Sequence, residues 1–99
     1  MLNITKSQKE DKLNIALDGR LDTITAPDLE KEIKASIGGV STLTFDFSKL
    51  EYISSAGLRV LLSAQKLMNR QGSMTVKNVN ETIMEIFEVT GFADILSIE

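Results

Sequence analysis

A strand pattern passes directly into a helix pattern near the middle of the chain. Residues 43–47 alternate between apolar and polar side chains, which is typical of a half-buried strand. Apolar side chains then recur at helical spacing over residues 57–68. Ser54 and Ser55 lie where the strand has ended and the helix begins, and either hydroxyl can cap the free N–H groups of that helix. A phosphate on either serine would also meet the positive end of the helix dipole.

The helix predicted after the serines is apolar over most of its circumference. At 100° per residue its apolar side chains span an arc on the order of 220°, which is wider than a surface helix needs. Two interpretations stay open for this width. The helix packs between the sheet and neighbouring helices, or part of the arc near Leu58 and Leu62 contacts a partner protein. The polar stripe of the helix carries Arg59, Ser63, Lys66 and Arg70.

The first half of the chain predicts a hairpin followed by a crossover helix. Residues 2–4 and 13–17 alternate, and the polar break at residues 9–12 predicts an antiparallel hairpin with a moderately long turn. A helix with Thr25 as its N-cap then runs to Gly38. Because it leads to the strand over residues 42–47, we expect a right-handed crossover between parallel strands.

The second half adds one strand and one helix. A short strand is predicted over residues 74–77, and the following helix is capped by Asn80 and stopped by Gly91. The order β-β-α-β-α-β-α predicts an α/β fold that forms one domain over residues 1–99. We expect a four- or five-stranded mixed sheet with its helices mainly on one face.

Composition limits the chemistry that this chain can perform. Cysteine and histidine are both absent, which excludes disulfides, Ser-His-Asp or Cys-His nucleophile pairs and the usual ligands of zinc. Asp18 and Asp22 lie at a predicted strand end or turn, where solvated turn residues are a simpler interpretation than an acid–base pair. We therefore expect no enzymatic activity, no catalytic residue, no metal and no cofactor.

Charge and hydropathy limit the partners in the same way. The net charge is −3, aromatic side chains make up only 5% of the chain, and no basic run is present, so a nucleic-acid partner is not expected. No apolar segment approaches the ~20 residues that span a bilayer, and the N-terminal residues lack a signal core. We expect no direct membrane insertion and a cytoplasmic location, with which the absence of cysteine is compatible.

The placed elements and their motifs resemble a STAS domain, in particular the stand-alone anti-sigma factor antagonists of bacterial partner switching. The matching stretches follow one another in the family's order over nearly the whole chain. They are residues 19–22 with 25–26, residues 45–48 and 54–58, residues 71–72, and residues 86–87 with 90–92.

The resemblance implies a phosphorylation site at the serine junction. In this family the phosphorylated residue is the serine two places before the glycine, which here is Ser55. Members commonly have Asp immediately before that serine, whereas this chain has Ser54, which becomes an alternative acceptor. For Asp22 the resemblance leaves two roles open, loop packing and partner recognition. The partner-binding residues that the resemblance implies are Asp22, Ser54, Ser55, Ala56, Gly57 and Leu58.

The resemblance also implies a switch between partners. The unphosphorylated domain would bind an anti-sigma factor that is a serine kinase, and phosphorylation of Ser55 would expel that partner. A phosphatase would reset the switch, and ATP would belong to the kinase. An alternative function is that of a regulatory STAS subunit in a membrane lipid-transport complex. A small enzyme or nucleotide-binding domain is disfavoured because the chain has no Gly-rich phosphate loop.

Overall fold

The chain folds into a four-stranded mixed sheet covered by three helices. The computed structural model describes residues 1–99. The predicted α/β class and the predicted order of elements are confirmed. The elements are β1 (Leu2–Lys9), β2 (Lys12–Leu21), α1 (Ala26–Ser36), β3 (Thr42–Ile53), α2 (Ser55–Gln71), β4 (Ser73–Lys77) and α3 (Glu81–Thr90), followed by a 3₁₀ turn at Phe92–Asp94.

The strands lie in the order β1-β2-β3-β4. β1 and β2 form the antiparallel hairpin, while β2 with β3 and β3 with β4 are parallel. The C-terminal residues close part of the outer edge of β4, since the Val76 N–H donates to the Ser97 carbonyl at 2.8 Å. None of the helices is both long enough and apolar enough to cross a membrane.

The hydrophobic core lies between the helices and one face of the sheet. Alternate side chains of β2 and β3 are fully buried on that face, whereas their neighbours on the other face are mostly polar and are exposed or half-buried. Each fully buried aliphatic or aromatic side chain contributes about 1.5–3 kcal/mol. The helices therefore cover mainly one face, as predicted. The buried side chains at the centre of the sheet are Leu13, Ile15, Leu17, Leu43, Phe45 and Phe47.

The hairpin turn is shorter than its polar sequence predicts, so the prediction of a moderately long turn is wrong. Lys9 pairs with Lys12, which leaves only Glu10 and Asp11 in the loop. Glu10 has a φ of 58°, in the left-handed region that two-residue hairpin loops use. The later residues of β1 are exposed on both faces, and the strand therefore lacks the alternation that would have revealed it.

β3 is also longer than predicted, because it continues beyond Phe47 to Ile53. Its pairing with β2 shifts register twice, and each shift places one extra residue in β3. The extra residues break the alternation after Phe47, which is why the sequence pattern stops there. The pairs on either side of the shifts are Ala16–Asp46 and Asp18–Lys49, then Gly19–Leu50 and Arg20–Tyr52.

The ends of α2 and α3 agree with the sequence prediction, whereas α1 ends at Ser36, two residues before the predicted stop at Gly38. Gly72 follows the last residue of α2, and Gly91 follows α3 with a φ of 83°. Asn80 caps α3, since its side-chain oxygen accepts a hydrogen bond from the Ile83 N–H at 2.9 Å. Gly72 has a further role, because a Cβ there would overlap the Ser41 carbonyl, whose carbon would lie 2.6 Å away.

We expect Gly72→Ala to lower the free energy of unfolding by about 2–3 kcal/mol, since the new methyl group meets backbone that cannot rotate away. Gly38→Ala is the matched control, because no atom lies within 4 Å of a Cβ at Gly38. The control should be neutral, or more stable by about 0.4–1 kcal/mol. Urea denaturation followed by circular dichroism measures both variants, and equal stabilities would contradict the clash.

Candidate functional site

Ser54 is held in place as the N-cap of α2. Its backbone is extended, with a φ of −98° and a ψ of 176°, and its hydroxyl oxygen accepts a long hydrogen bond of 3.5 Å from the Gly57 N–H. The Ser54 N–H donates to the Leu21 carbonyl at 2.9 Å, and its carbonyl accepts from the Leu58 N–H at 2.9 Å. Ser54 therefore joins the end of β2 to the start of α2.

Ser55 occupies a different position from its neighbour. It is the first residue of α2, and its side chain is exposed. Backbone N–H groups in the first turn of a helix have no intrahelical acceptor, and they carry partial positive charge. The first turn of α2 contains no acidic residue that would oppose an added anion. The hydroxyl of Ser55 is thus accessible in a setting that tolerates negative charge.

The next residues anchor the helix to the core. A Cβ at Gly57 would lie 2.7 Å from Leu21 Cγ and 2.9 Å from Ile53 Cγ1, so only glycine lets α2 approach the strand ends this closely. Leu58 is 6% exposed and belongs to the hydrophobic core. Its side chain therefore has almost no surface that a partner could contact. Of the two interpretations of the apolar arc, packing is the one that holds for Leu58.

Asp22 organises the loop between β2 and α1. Its Oδ1 atom accepts hydrogen bonds from the N–H groups of Ile24 and Thr25, both at 3.0 Å. The Thr25 hydroxyl accepts from the Asp22 N–H at 2.9 Å and donates to the Arg20 carbonyl at 2.8 Å. This loop role was one of the two roles left open for Asp22.

Thr25 occupies the N-cap position of α1, but its side chain makes no capping hydrogen bond. The predicted N-cap position is therefore confirmed, but the side-chain hydrogen bond expected of a capping threonine is not made. The hydroxyl donates to the Arg20 carbonyl near the end of β2 instead, and Thr25 is buried there. Its backbone carbonyl still accepts from the Asp28 and Leu29 N–H groups.

The same hydrogen bonds set the protonation of Asp22. The Thr25 N–H holds the pKa of the Asp22 carboxyl below its ordinary value, with smaller contributions in the same direction from the Ile24 N–H and the Thr25 hydroxyl and a smaller opposing effect of desolvation. A depressed pKa in the folded state means that ionised Asp22 stabilises the fold.

We expect Asp22→Asn to unfold at a lower urea concentration than the parent protein at pH 7. The stabilisation by the charge is present above the unfolded-state pKa of about 3.9 and is lost as the pH falls through the lower folded-state pKa. The two proteins should therefore converge in stability as the pH falls through the range in which the folded-state carboxyl of Asp22 takes up its proton. Urea midpoints measured across this range test the expectation, and a difference independent of pH would contradict it.

A shallow groove lies beside the serine junction, between the N-terminal halves of α1 and α2. Its cavity volume is about 220 Å³. Ile24, in the adjoining loop, is 83% exposed, which is unusual for a large apolar side chain. Sequence reasoning missed both features, since the groove needs residues from two helices and no local pattern marks Ile24. The lining residues are Thr23, Ala26, Pro27, Glu30, Ala56, Arg59, Val60 and Ser63.

The structure brings most of the predicted site residues together. The Ser54–Leu21 hydrogen bond places the serine junction next to the loop that Asp22 organises. Ala56 is half-buried and lines the groove, whereas Gly57 and Leu58 lie beneath the surface. No cluster of three or more acidic, histidine or cysteine side chains is arranged to hold a metal ion. The arrangement offers an accessible hydroxyl beside a groove.

Comparison with known proteins identifies the family. The model of the STAS domain matches residues 3–99. The chain belongs to the STAS family. This STAS domain is 33% identical, over 99 residues, to a candidate anti-sigma factor antagonist, BtrV of Bordetella bronchiseptica, with 98% of this chain and 85% of the relative covered. The sequence prediction of the family is confirmed.

Two further similarities concern Bacillus proteins. The STAS domain is 26% identical over 98 residues to the anti-sigma-B factor antagonist of Bacillus subtilis. This alignment covers 98% of this chain and 90% of the relative. It also superposes on the phosphorylated form of the Bacillus cell fate determinant SpoIIAA with a TM-score of 0.77. That superposition covers 98% of this chain and 91% of SpoIIAA at 20% identity, and it shows the shared fold.

Proposed function

We propose that this STAS domain is an anti-sigma factor antagonist that binds a serine-kinase anti-sigma factor and loses it when Ser55 is phosphorylated. The observation that carries the proposal is the difference between the two serines at the start of α2. Ser54 is held as the N-cap, whereas Ser55 is exposed one residue later. The names of the two sequence relatives, and the existence of a phosphorylated form of SpoIIAA, support the same function.

Ser55 is the better acceptor of the two serines. A kinase has to bring the hydroxyl oxygen to the γ-phosphorus of ATP, where the oxygen gains the phosphoryl group, loses its proton and ADP leaves. The Ser54 hydroxyl faces the Gly57 N–H, and its modification would disturb the cap. Ser55 makes its hydroxyl available at no such cost. ATP in this scheme belongs to the kinase, and this chain needs no cofactor and performs no catalysis.

The phosphate should act at the surface without unfolding the domain. It adds roughly −1.5 to −2 charges, and the first turn of α2 is a favourable place for them. When a partner covers this point, the phosphate has to give up its hydration, which is costly for a charged group. The free energy of partner binding is therefore the quantity that phosphorylation changes.

The surface that the partner would cover differs from the one that the sequence predicts. Leu58 is buried, so we define a junction surface from the exposed and groove-lining residues around Ser55. Ile24 provides its largest exposed apolar side chain, whose burial by a partner would remove apolar surface from water. The junction surface consists of Thr23, Ile24, Pro27, Ser55, Ala56 and Arg59.

The remaining parts of the switch are proposed with it. A phosphatase would remove the phosphate and restore binding, and the outcome would be control of transcription in the cytoplasm through the released sigma factor. The alternative of a lipid-transport subunit needs no phosphorylation, and the relatives' names favour the antagonist over it. No nucleic acid contacts the domain in this scheme.

We expect the cognate kinase and ATP to add one phosphate to the protein, at Ser55. Ser55→Ala should abolish the labelling. Ser54→Ala should retain it, with a loss of about 0.5–1 kcal/mol in folding stability, because the cap it removes is a long hydrogen bond. Phosphopeptide mapping by mass spectrometry identifies the acceptor. A phosphate found on Ser54 would refute the assignment.

We expect Ser55→Asp to weaken binding of the kinase by about 2 kcal/mol or more, which is about 30-fold, because the added charge is desolvated at the interface. Its melting temperature should stay within about 3 °C of the parent value. Calorimetry and a binding titration on the same samples measure both quantities.

Two further variants complete this experiment. Ser55→Ala should keep the affinity of the parent protein, since it loses only a hydroxyl. Ser7→Asp is the matched charge control, because Ser7 is exposed on β1, away from the junction surface, and it should bind normally. A Ser55→Asp variant that loses both binding and most of its thermal stability would mean that the switch works by unfolding.

A further inference from the structure

The charge on α2 is one-sided. The helix contains three basic residues and no acidic residue, although the chain as a whole has a net charge of −3. Arg59 is the first of these basic residues and follows Ser55 by four positions. Side chains four positions apart on a helix lie on the same face, with their Cβ atoms ~6 Å from each other. Arg59 is therefore the nearest helical cation to the proposed phosphorylation site.

Arg59 is exposed, and none of the three ion pairs in the structure includes it. The charged residues that line the groove are Arg59 on α2 and Glu30 on α1. The Glu30 carboxylate lies 3.5 Å from the Lys34 ammonium, one turn further along α1. The guanidinium of Arg59 thus has no ion-pair partner in the unphosphorylated protein, even though the Glu30 carboxylate lines the same groove.

We propose that Arg59 is the residue that pairs with the phosphate of phosphorylated Ser55, an inference that rests on the proposed function. A guanidinium presents parallel N–H groups that match two phosphate oxygens, and such charge-assisted hydrogen bonds are about twice as strong as neutral ones. The i, i+4 spacing brings the two groups within reach along the exposed face of α2.

This pairing gives phosphorylation two effects on one surface. Arg59 belongs to the junction surface and lines the groove. When the Arg59 guanidinium pairs with the phosphate, it is no longer free to bind a partner in the groove. The phosphate also adds negative charge beside the groove. A partner that contacts Arg59 in the unphosphorylated state loses that contact as well as meeting the phosphate. Arg59 thus affects partner binding through its pairing with the phosphate of Ser55.

The test uses protein that carries phosphoserine installed at position 55 during translation, so that it needs no kinase. Phosphorus NMR then follows the second ionisation of the phosphate, whose ordinary pKa is about 6. A neighbouring cation favours the dianion and lowers this pKa. Removing it with Arg59→Gln should raise the phosphate pKa by about 0.3–0.5 of a unit, as expected for an exposed pair.

Lys66→Gln is the matched control, since Lys66 is exposed on the same helix and carries the same charge. Eleven residues separate it from Ser55, about 16 Å along the axis, which is beyond the screening length of about 10 Å at ordinary salt. Its effect on the phosphate pKa should stay below about 0.1 of a unit. An Arg59→Gln value no higher than the Lys66→Gln value overturns the proposal.

A second measurement needs no substitution. In the otherwise unaltered phosphoprotein, the Arg59 Nε–H resonance should move with the phosphate titration, and an unchanged resonance overturns the proposal. Failure of the kinase to label Ser55 would refute the proposed function but would leave both NMR results intact. Normal labelling with no effect of Arg59 would refute only the pairing.

Discussion

The close approach of α2 to the ends of β2 and β3 determines the shape of the serine junction. The approach is possible because Gly57 has no side chain where Leu21 and Ile53 pack, with their nearest side-chain carbons within 3 Å of the missing Cβ position. With the helix seated there, Ser54 can bond to the end of β2 and cap α2 at the same time. The core thus sets the position of Ser55, although Ser55 itself contacts little.

This arrangement separates stability from recognition. The residues that hold the junction are buried or hydrogen-bonded, as Ser54, Gly57 and Leu58 are, whereas Ser55 is exposed. A group added to Ser55 can therefore change what the surface binds while the packing beneath it stays the same. The carboxylate of Asp22, nearby in the fold, is occupied by the backbone of its own loop.

The resemblance to the antagonist family implies Asp at position 54, and the serine found there keeps one property of Asp and lacks another. Asp and Ser are both effective N-caps, so α2 keeps its cap. Serine carries no charge, however, and the first turn of α2 is left without an acidic residue. A phosphate on Ser55 then meets the N–H groups of the helix and the Arg59 side chain, with no carboxylate in the first turn of α2 to repel it.

The sequence alone determined the order of the elements, the helix ends at Gly72 and Gly91, the Asn80 cap and the place of the two serines, because each depends on residues close together in the chain. Only the tertiary structure decided the full length of β3, since its register shifts arise from pairing with β2. It also decided the loop role of the Thr25 hydroxyl, the burial of Leu58 and the groove between α1 and α2. These features depend on contacts between distant segments, and the period of a local pattern carries no information about which segment lies opposite.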